Sequence, residues 1–217
     1  MTKETKVKFL YFAYGSNMFS RRLRMRTPSA AAAGVGYASG RRLTFDKVST
    51  DGSGKCDIER TSSPTDRVYG VLFEILSAEK AGLGNAEGLG KGYREGRVDV
   101  VTPSGTRQAL GHVATAKKPT LRPYHWYKAL VIAGAIEHGL PGPYVEWLRT
   151  VESKPDPKPK RRGENEALLF WQLTPPFDGP SACDSRVLAA ERTVAASWRN
   201  TWPRYRTLLH PAMLKEH

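Results

Sequence analysis

The 217-residue sequence lacks most features that mark secreted, membrane-spanning or metal-binding proteins. Its two cysteines, Cys56 and Cys183, are too far apart in sequence for a metal-ligand pair and too few for a disulfide framework. No apolar run reaches the length of about 18 residues that predicts a membrane span. The polar N-terminus also lacks the apolar stretch of a secretory signal. These absences predict a cytoplasmic protein without a membrane anchor, a bound metal or a cofactor.

Acidic residues are scarce relative to basic ones, with 21 Asp and Glu against 34 Lys and Arg and a net charge of +13. Residues 164–217 are electrically balanced, so the excess lies in residues 1–163. It is concentrated in three clusters, at residues 21–26, 41–42 and 158–162. Such a field attracts anionic small molecules or nucleic acid. Because no aromatic-rich nucleic-acid motif accompanies the charge, nucleic-acid binding is the less favoured interpretation.

Hydrophobic patterning predicts more strands than helices. Apolar, β-rich runs predict strands at residues 7–14, 35–47, 55–60, 67–76, 97–101 and 108–114. Helical spacing or capping signals predict helices at residues 18–26, 77–86, 123–138 and 144–151. Few long helical crossovers separate the strands. The pattern therefore favours an α+β fold with a small mixed or antiparallel, barrel-like sheet and a few flanking helices.

The turn Tyr14-Gly15-Ser16-Asn17 follows the first predicted strand and is one candidate for chemistry. A strand that ends in Gly-Ser-Asn exposes successive backbone N–H groups, and such nests bind anions or developing oxyanions. Gly15 allows a ligand to approach closely, while Ser16 and Asn17 add side-chain donors. The alternative is a plain strand-to-helix turn with the asparagine as a helix cap.

Glu87 is the second candidate, because it stands where a short predicted helix ends among glycines. The negative end of the helix dipole disfavours a charged carboxylate, and burial would add to that effect, so we expect a raised pKa. A raised pKa suits a group that takes up and returns a proton. The alternative is an exposed glutamate in a flexible loop. Glu59, Glu74 and Glu95 are the competing carboxylates.

No serine–histidine triad or metal-binding cluster is evident in the sequence. The five histidines do not cluster, and His112 and His125 are expected to be structural or surface residues. The glycine-rich run at residues 88–92 lacks the Gly-Lys-Ser/Thr ending of a phosphate-binding loop.

Taken in order, five sequence blocks resemble the γ-glutamylcyclotransferase family. They are residues 10–18 (LYFAYGSNM), 24–30 (RMRTPSA), 68–75 (VYGVLFEI), 87–95 (EGLGKGYRE) and 126–141 (WYKALVIAGAIEHGLP). The resemblance implies Glu87 as the catalytic acid and base, and Tyr93 and Tyr127 as aromatic residues that line the substrate pocket. It also implies a substrate-binding loop formed by Tyr11, Phe12, Ala13, Tyr14, Gly15, Ser16 and Asn17. The sequence departs from the family at Gly84, where the family often has an acidic residue.

The reaction implied by the resemblance is intramolecular aminolysis of a γ-glutamyl compound, which yields 5-oxoproline and a free amine or amino acid. The enzyme would fold the glutamyl chain into a near-attack shape. Two other interpretations stay open. The chain could be a relative with a different substrate, or a non-catalytic relative that binds a small anion, a protein or a nucleic acid.

The resemblance extends over about residues 5–155, which we expect to form the catalytic domain. Residues 156–163 are predicted to be a basic, proline-rich linker. Residues 164–217 form a C-terminal extension, predicted to be partly helical, whose role the sequence does not reveal. Its aromatic content favours packing on the main domain or a contact in a homodimer over disorder.

Overall fold

The computed structural model describes residues 7–170, which form one compact unit as far as Leu169. Cys183 and most of the predicted C-terminal extension lie outside the described residues. No helix within residues 7–170 is long and apolar enough to cross a membrane.

Five of the seven strands in residues 7–170 close into a barrel in the order β1-β5-β2-β6-β7, while β3 and β4 form a separate two-stranded sheet. The strands are β1 (Lys8–Ala13), β2 (Ala31–Ser39), β3 (Arg41–Val48), β4 (Gly54–Arg60), β5 (Arg67–Leu76), β6 (Tyr93–Thr102) and β7 (Gly105–Ala114). All neighbours in the barrel are antiparallel except β1 and β7, which pair in parallel where Tyr11 lies opposite Leu110. The prediction of an α+β fold with a mixed, barrel-like sheet is confirmed.

The helices are short and lie between or after the strands. They are α1 (Ser20–Arg24), α2 (Lys80–Glu87), α3 (His125–Glu137), α4 (Gly142–Thr150) and α5 (Pro159–Phe170). Single 3₁₀ turns, Ser16–Met18 and Ser77–Glu79, precede α1 and α2. The predicted helices at 123–138 and 144–151 correspond to α3 and α4.

Helix α3 packs directly on the turn that follows β1. A β-carbon at Gly134 would lie 2.4 Å from the backbone nitrogen of Phe19 and 2.5 Å from the carbonyl carbon of Met18. Only glycine permits this approach, because real β-carbons almost never come so close to backbone atoms. The contact fixes α3 against the Gly-Ser-Asn turn, and the same helix carries Tyr127.

Two predicted boundaries differ from the structure. The single strand predicted at residues 35–47 is two strands, β2 and β3, joined at Gly40. The linker predicted at residues 156–163 contains the start of α5 at Pro159. Proline suits the first helical position because the N–H it lacks would have no partner there.

Asp156 explains why this basic, proline-rich segment is helical. Its carboxylate accepts a hydrogen bond from the backbone N–H of Lys158 at 2.9 Å and two from the Arg161 guanidinium at 2.6 Å. It also accepts one from the indole N–H of Trp126 at 2.8 Å, so the segment is tied to α3. A composition that is typical of a linker therefore forms an ordered, anchored helix start.

Candidate active site

The Gly-Ser-Asn turn and the end of α2 meet through Asn17. The Asn17 side-chain amide is buried and donates to the Glu87 Oε1 atom at 3.0 Å and to the Tyr11 hydroxyl at 3.1 Å. The backbone N–H groups of Ser16 and Asn17 make no hydrogen bond to any residue in the described range. The structure therefore brings together the two motifs that the sequence analysis singled out.

The backbone of Glu87 is held by a Schellman motif at the end of α2. Gly88 adopts the left-handed conformation, with φ of 74°, which favours glycine. Its N–H donates to the Asn85 carbonyl at 3.1 Å, and the Leu89 N–H donates to the Gly84 carbonyl at 2.9 Å. A β-carbon at Gly84 would lie 3.1 Å from the Leu89 side chain. The absence of an acidic residue at position 84 thus leaves room for Leu89 to fold back over the helix.

Arg26 changes the electrostatics expected for Glu87. Its guanidinium forms a salt bridge to the Glu87 carboxylate and a 2.9 Å hydrogen bond to the Asn17 side-chain oxygen. Burial acts to raise the pKa of Glu87, but Arg26, with smaller contributions from His112 and Arg22, lowers it below its ordinary value. The raised pKa predicted from the helix end is therefore wrong, because charged and polar groups outside the α2 segment, Arg26 foremost, together outweigh the effect of burial.

Two buried tyrosines lie beside this network and meet at Cys56 of β4. Tyr93 donates its hydroxyl hydrogen to the Cys56 carbonyl, and the Tyr127 hydroxyl accepts a hydrogen bond from the Cys56 N–H at 3.1 Å. Burial raises the pKa of both tyrosines, so their hydroxyls stay protonated at neutral pH. A β-carbon at Gly15 would lie 3.1 Å from the Tyr127 hydroxyl oxygen, so the turn packs tightly against this tyrosine.

Other residues of the predicted binding loop are oriented in different directions. Phe12 is fully buried in the core, and the Tyr14 hydroxyl donates to the backbone carbonyl of His112. Ala13 and Ser16 are also buried. The structure thus joins Asn17 directly to Glu87, and Tyr11 to Glu87 only through Asn17, while substrate contacts of the other loop residues stay predictions.

Comparisons with known proteins show which family the chain resembles. The sequence profile of the AIG2-like family matches residues 67–148. A γ-glutamylcyclotransferase of Homo sapiens is 30% identical over 162 residues, which are 70% of this chain and 83% of the relative. One of Bos taurus is 31% identical over 166 residues, or 74% and 87% of the two chains. A solved structure of a γ-glutamyl cyclotransferase, 29% identical, covers 74% of this chain and 99% of its own length with a TM-score of 0.66.

The chain belongs to the γ-glutamylcyclotransferase family. It is accordingly an enzyme of the cyclotransferase type. The competing carboxylates of this γ-glutamylcyclotransferase lie in ion pairs away from the Asn17 network. Glu74 pairs with Lys8 at 3.0 Å, Glu95 with Lys80 at 2.9 Å, and Glu59 with Arg42 at 2.7 Å.

His112 is a residue of this region that sequence reasoning assigned to structure or surface. Its imidazole is buried, with ring centroids 5.6 Å from Tyr11 and 6.3 Å from Tyr93. Burial lowers the pKa of His112, and the nearby Glu87 carboxylate acts in the opposite direction. Its buried Nδ1 atom has no hydrogen-bond partner among residues 7–170. The isolated position of His112 in the sequence offered no signal of this placement.

Two lysines near the tyrosines were also missed. Lys47 is buried, and its ammonium lies 4.3 Å from the ring centroid of Tyr93, with no hydrogen bond or ion pair to any other described residue. Lys55 lies 4.6 Å from the Tyr127 ring centroid and is paired with Asp51 at 2.7 Å. The sequence did contain a signal for Lys47. Alternate side chains of β3 point inward, and Lys47 lies on the same face as the buried Leu43 and Phe45.

No three or more His, Cys, Asp or Glu side chains in the described part of the chain are grouped so that they could hold a metal ion.

Proposed function

We propose that this enzyme cyclises a γ-glutamyl compound to 5-oxoproline and releases the amine or amino acid, with Glu87 as the acid and base. The observation that carries the proposal is the placement of the Glu87 carboxylate. Asn17 of the Gly-Ser-Asn turn and Arg26 both contact its Oε1 atom. The carboxylate is thereby oriented beside Tyr11, with its side chain still 18% exposed.

In the proposed reaction, Glu87 removes a proton from the substrate's α-ammonium group, which is a nucleophile only when neutral. The amine nitrogen attacks the γ-carbonyl carbon and forms the new carbon–nitrogen bond of the five-membered ring. The amide bond to the leaving group then breaks: Glu87 returns the proton to the departing nitrogen, and the ring nitrogen loses its second proton to water. Both reactants belong to one molecule, so the site mainly has to hold the bent conformation.

The lowered pKa of Glu87 means that the free enzyme holds an ionised base at neutral pH. An ionised carboxylate can accept the proton directly, although its salt bridge to Arg26 weakens it as a base. A substrate carboxylate that competes for Arg26 would relieve this pairing and raise the pKa of Glu87 when the substrate is bound. Arg26 would then both bind the substrate and adjust the base.

The remaining donors suit the negative charges of a γ-glutamyl substrate. The N–H groups of Ser16 and Asn17, which have no partner among residues 7–170, are available for a carboxylate or for the oxyanion of the tetrahedral intermediate. The Lys47 ammonium, which lies over the Tyr93 ring, is available for a second carboxylate on an amino-acid leaving group.

The test is the Glu87→Gln variant, assayed for 5-oxoproline by mass spectrometry. The assay uses a panel containing a γ-glutamyl amino acid, a γ-glutamylamine and glutathione. We expect loss of about 10²–10⁴-fold in turnover, the usual contribution of a general acid and base, because glutamine keeps the shape but cannot carry the proton. Thermal unfolding should show that the fold is retained.

Glu95→Gln is the matched control, since Glu95 forms a peripheral ion pair with Lys80. It should turn over at the wild-type rate. Release of 5-oxoproline by Glu87→Gln at that rate would contradict the assignment. Inactivity of the wild type on the whole panel would favour a relative with another substrate or a non-catalytic role.

A cytoplasmic location and homodimer formation accompany this proposal as predictions from the sequence. Fractionation of the source cells and size-exclusion chromatography with light scattering test them separately.

A further inference from the structure

A groove of about 410 Å³ lies between the β3–β4 sheet and the strands β6 and β7. The groove and the two buried tyrosines, Tyr93 and Tyr127, contact different residues of β4. The backbone of Cys56 binds Tyr93 and Tyr127, whereas Asp57, Glu59 and Arg60 of the same strand line the groove. The groove is therefore a different surface from the Glu87 site, and the inference below does not depend on the proposed reaction.

The carboxylates of the groove are already engaged. Lys117 forms salt bridges to Asp57 at 3.2 Å and to Glu59 at 2.9 Å. Glu59 also pairs with Arg42 at 2.7 Å, and Asp57 accepts a 2.7 Å hydrogen bond from the Ala114 N–H. These contacts neutralise the acidic side chains and leave the arginines of the groove without counter-charges.

Four arginines line this neutralised floor, and one of them, Arg97 of β6, donates to the Gln108 side-chain oxygen at 3.3 Å. The other three come from three strands: Arg41 of β3, Arg60 of β4 and Arg94 of β6. None of them forms an ion pair with a carboxylate of residues 7–170. Arg41 and Arg60 lie directly opposite each other in the β3–β4 ladder. Like charges in that position destabilise a sheet. Because both arginines are present without a counter-ion, we infer that the two positive charges bind an anion.

Two of these arginines, Arg41 and Arg94, lie close to the backbone of β4 and β6, respectively. Arg41 is partly buried and donates from its guanidinium to the Ile58 carbonyl at 3.2 Å. Burial, followed by the nearby Arg60 guanidinium, acts to lower the pKa of Arg41. The Arg94 Nη1 atom lies 3.9 Å from the position of a β-carbon on Gly96, so the guanidinium extends over a residue without a side chain.

We propose that this groove binds a small molecule that carries two or more adjacent phosphate groups. Arginine forks match phosphate oxygens in pairs, and three forks from three strands surround one concave surface. A single carboxylate would leave most of these donors unused, whereas a diphosphate or triphosphate offers enough charge and oxygen atoms. The volume is that of a small-molecule site rather than of a track along a nucleic-acid strand.

Isothermal titration calorimetry with tripolyphosphate tests the proposal on the full chain. The variant Arg60→Gln with Arg94→Gln removes two of the forks, and Arg107→Gln is the matched control, because Arg107 is exposed on β7 outside the groove. We expect the double variant to weaken binding at least tenfold, and the control to stay within twofold of the wild type. Tripolyphosphate should raise the melting temperature of the wild type but not of the double variant.

Lysine at both positions keeps the charge and provides a second test if the glutamine variant does not fold. It should still weaken binding, because lysine lacks the two-pronged geometry. A comparison of tripolyphosphate with adenosine triphosphate, both of which fit the proposal, shows whether the groove also contacts a nucleoside.

Three results would overturn the inference. Equal weakening in Arg107→Gln would show non-specific attraction. Loss of tripolyphosphate binding in Lys47→Met but not in the arginine variant would place the anion in the Glu87 region. Tighter binding of a short single-stranded oligonucleotide through the same arginines would make the surface a nucleic-acid site.

Discussion

Basic residues gather in two regions of the described chain, and the two regions hold them differently. Near Glu87, Arg26 is paired with a carboxylate, Lys55 with Asp51, and Lys47 with the ring of Tyr93. In the groove, Arg41 and Arg60 face each other without a counter-charge among residues 7–170. The net charge of +13 is thus not one uniform field. Part of it orients the groups of a site, and part remains available to an outside anion.

Among the variants that change a basic residue, the largest expected effect comes from breaking the pairing at Glu87 with Arg26→Met. Loss of a charge-assisted hydrogen bond of about 1.5–3 kcal/mol should reduce kcat/KM at neutral pH by about tenfold to 100-fold. Without Arg26, burial dominates and the pKa of Glu87 rises. The acidic limb of the kcat/KM profile should therefore move to higher pH. Arg26→Lys, which keeps a charge, should move it less, and an unchanged limb in Arg26→Met would refute this account.

The second test concerns Lys55, which pairs with Asp51, and it measures the pH dependence of the free energy of unfolding. Burial lowers the pKa of Lys55 to about 8, against 10.5 for an ordinary lysine, although Asp51 acts in the opposite direction. Between these values the unfolded chain binds more protons than the folded one, so this lysine makes stability rise with pH. The wild type should gain on the order of 2 kcal/mol between pH 8 and 10 relative to Lys55→Met.

Urea unfolding of both proteins at each pH measures this difference, and all groups other than Lys55 cancel in the comparison. Parallel pH profiles for wild type and Lys55→Met would mean that the lysine keeps its ordinary pKa in the folded protein.

Lys47 sharpens the comparison because it is buried near Glu87 but has no carboxylate partner among the described residues. If it binds a leaving-group carboxylate, Lys47→Met should raise KM for a γ-glutamyl amino acid about tenfold and leave a γ-glutamylamine nearly unchanged. Lys118→Met, on an exposed residue, is the control. An equal loss on both substrates would place Lys47 at the glutamyl end instead, and no loss would remove it from the site.

The smallest expected effect is a change in the free energy of unfolding, and it comes from the pair of arginines in the groove. Arg60→Glu converts the like-charged pair with Arg41 into an opposite-charged one, which should raise the free energy of unfolding by about 0.2–1 kcal/mol. Arg60→Gln should give a smaller gain. The measurement is urea unfolding at low salt without polyanions, and a loss of stability in both variants would show that the arginines do not repel each other.

The sequence predicted the strands and helices well where apolar patterns were continuous, as in β5 and α3. It also placed the turn and Glu87 in one site, through the resemblance of ordered blocks. The pKa of Glu87 was predicted in the wrong direction because the helix end is local, whereas Arg26 is 61 residues away in sequence. The start of α5 was missed for a similar reason. Composition shows prolines and lysines, but not that Asp156 accepts hydrogen bonds from Arg161 and Trp126.

The close contact at Gly134 has a consequence for how the enzyme loses activity. The same helix presses on the backbone after the Gly-Ser-Asn turn and, through Tyr127, holds the N–H of Cys56. A shift of α3 would therefore displace the Gly-Ser-Asn turn and the contact between Tyr127 and Cys56 at the same time. Heat inactivation should then coincide with the unfolding of this helix, because the active site does not unfold separately at a lower temperature.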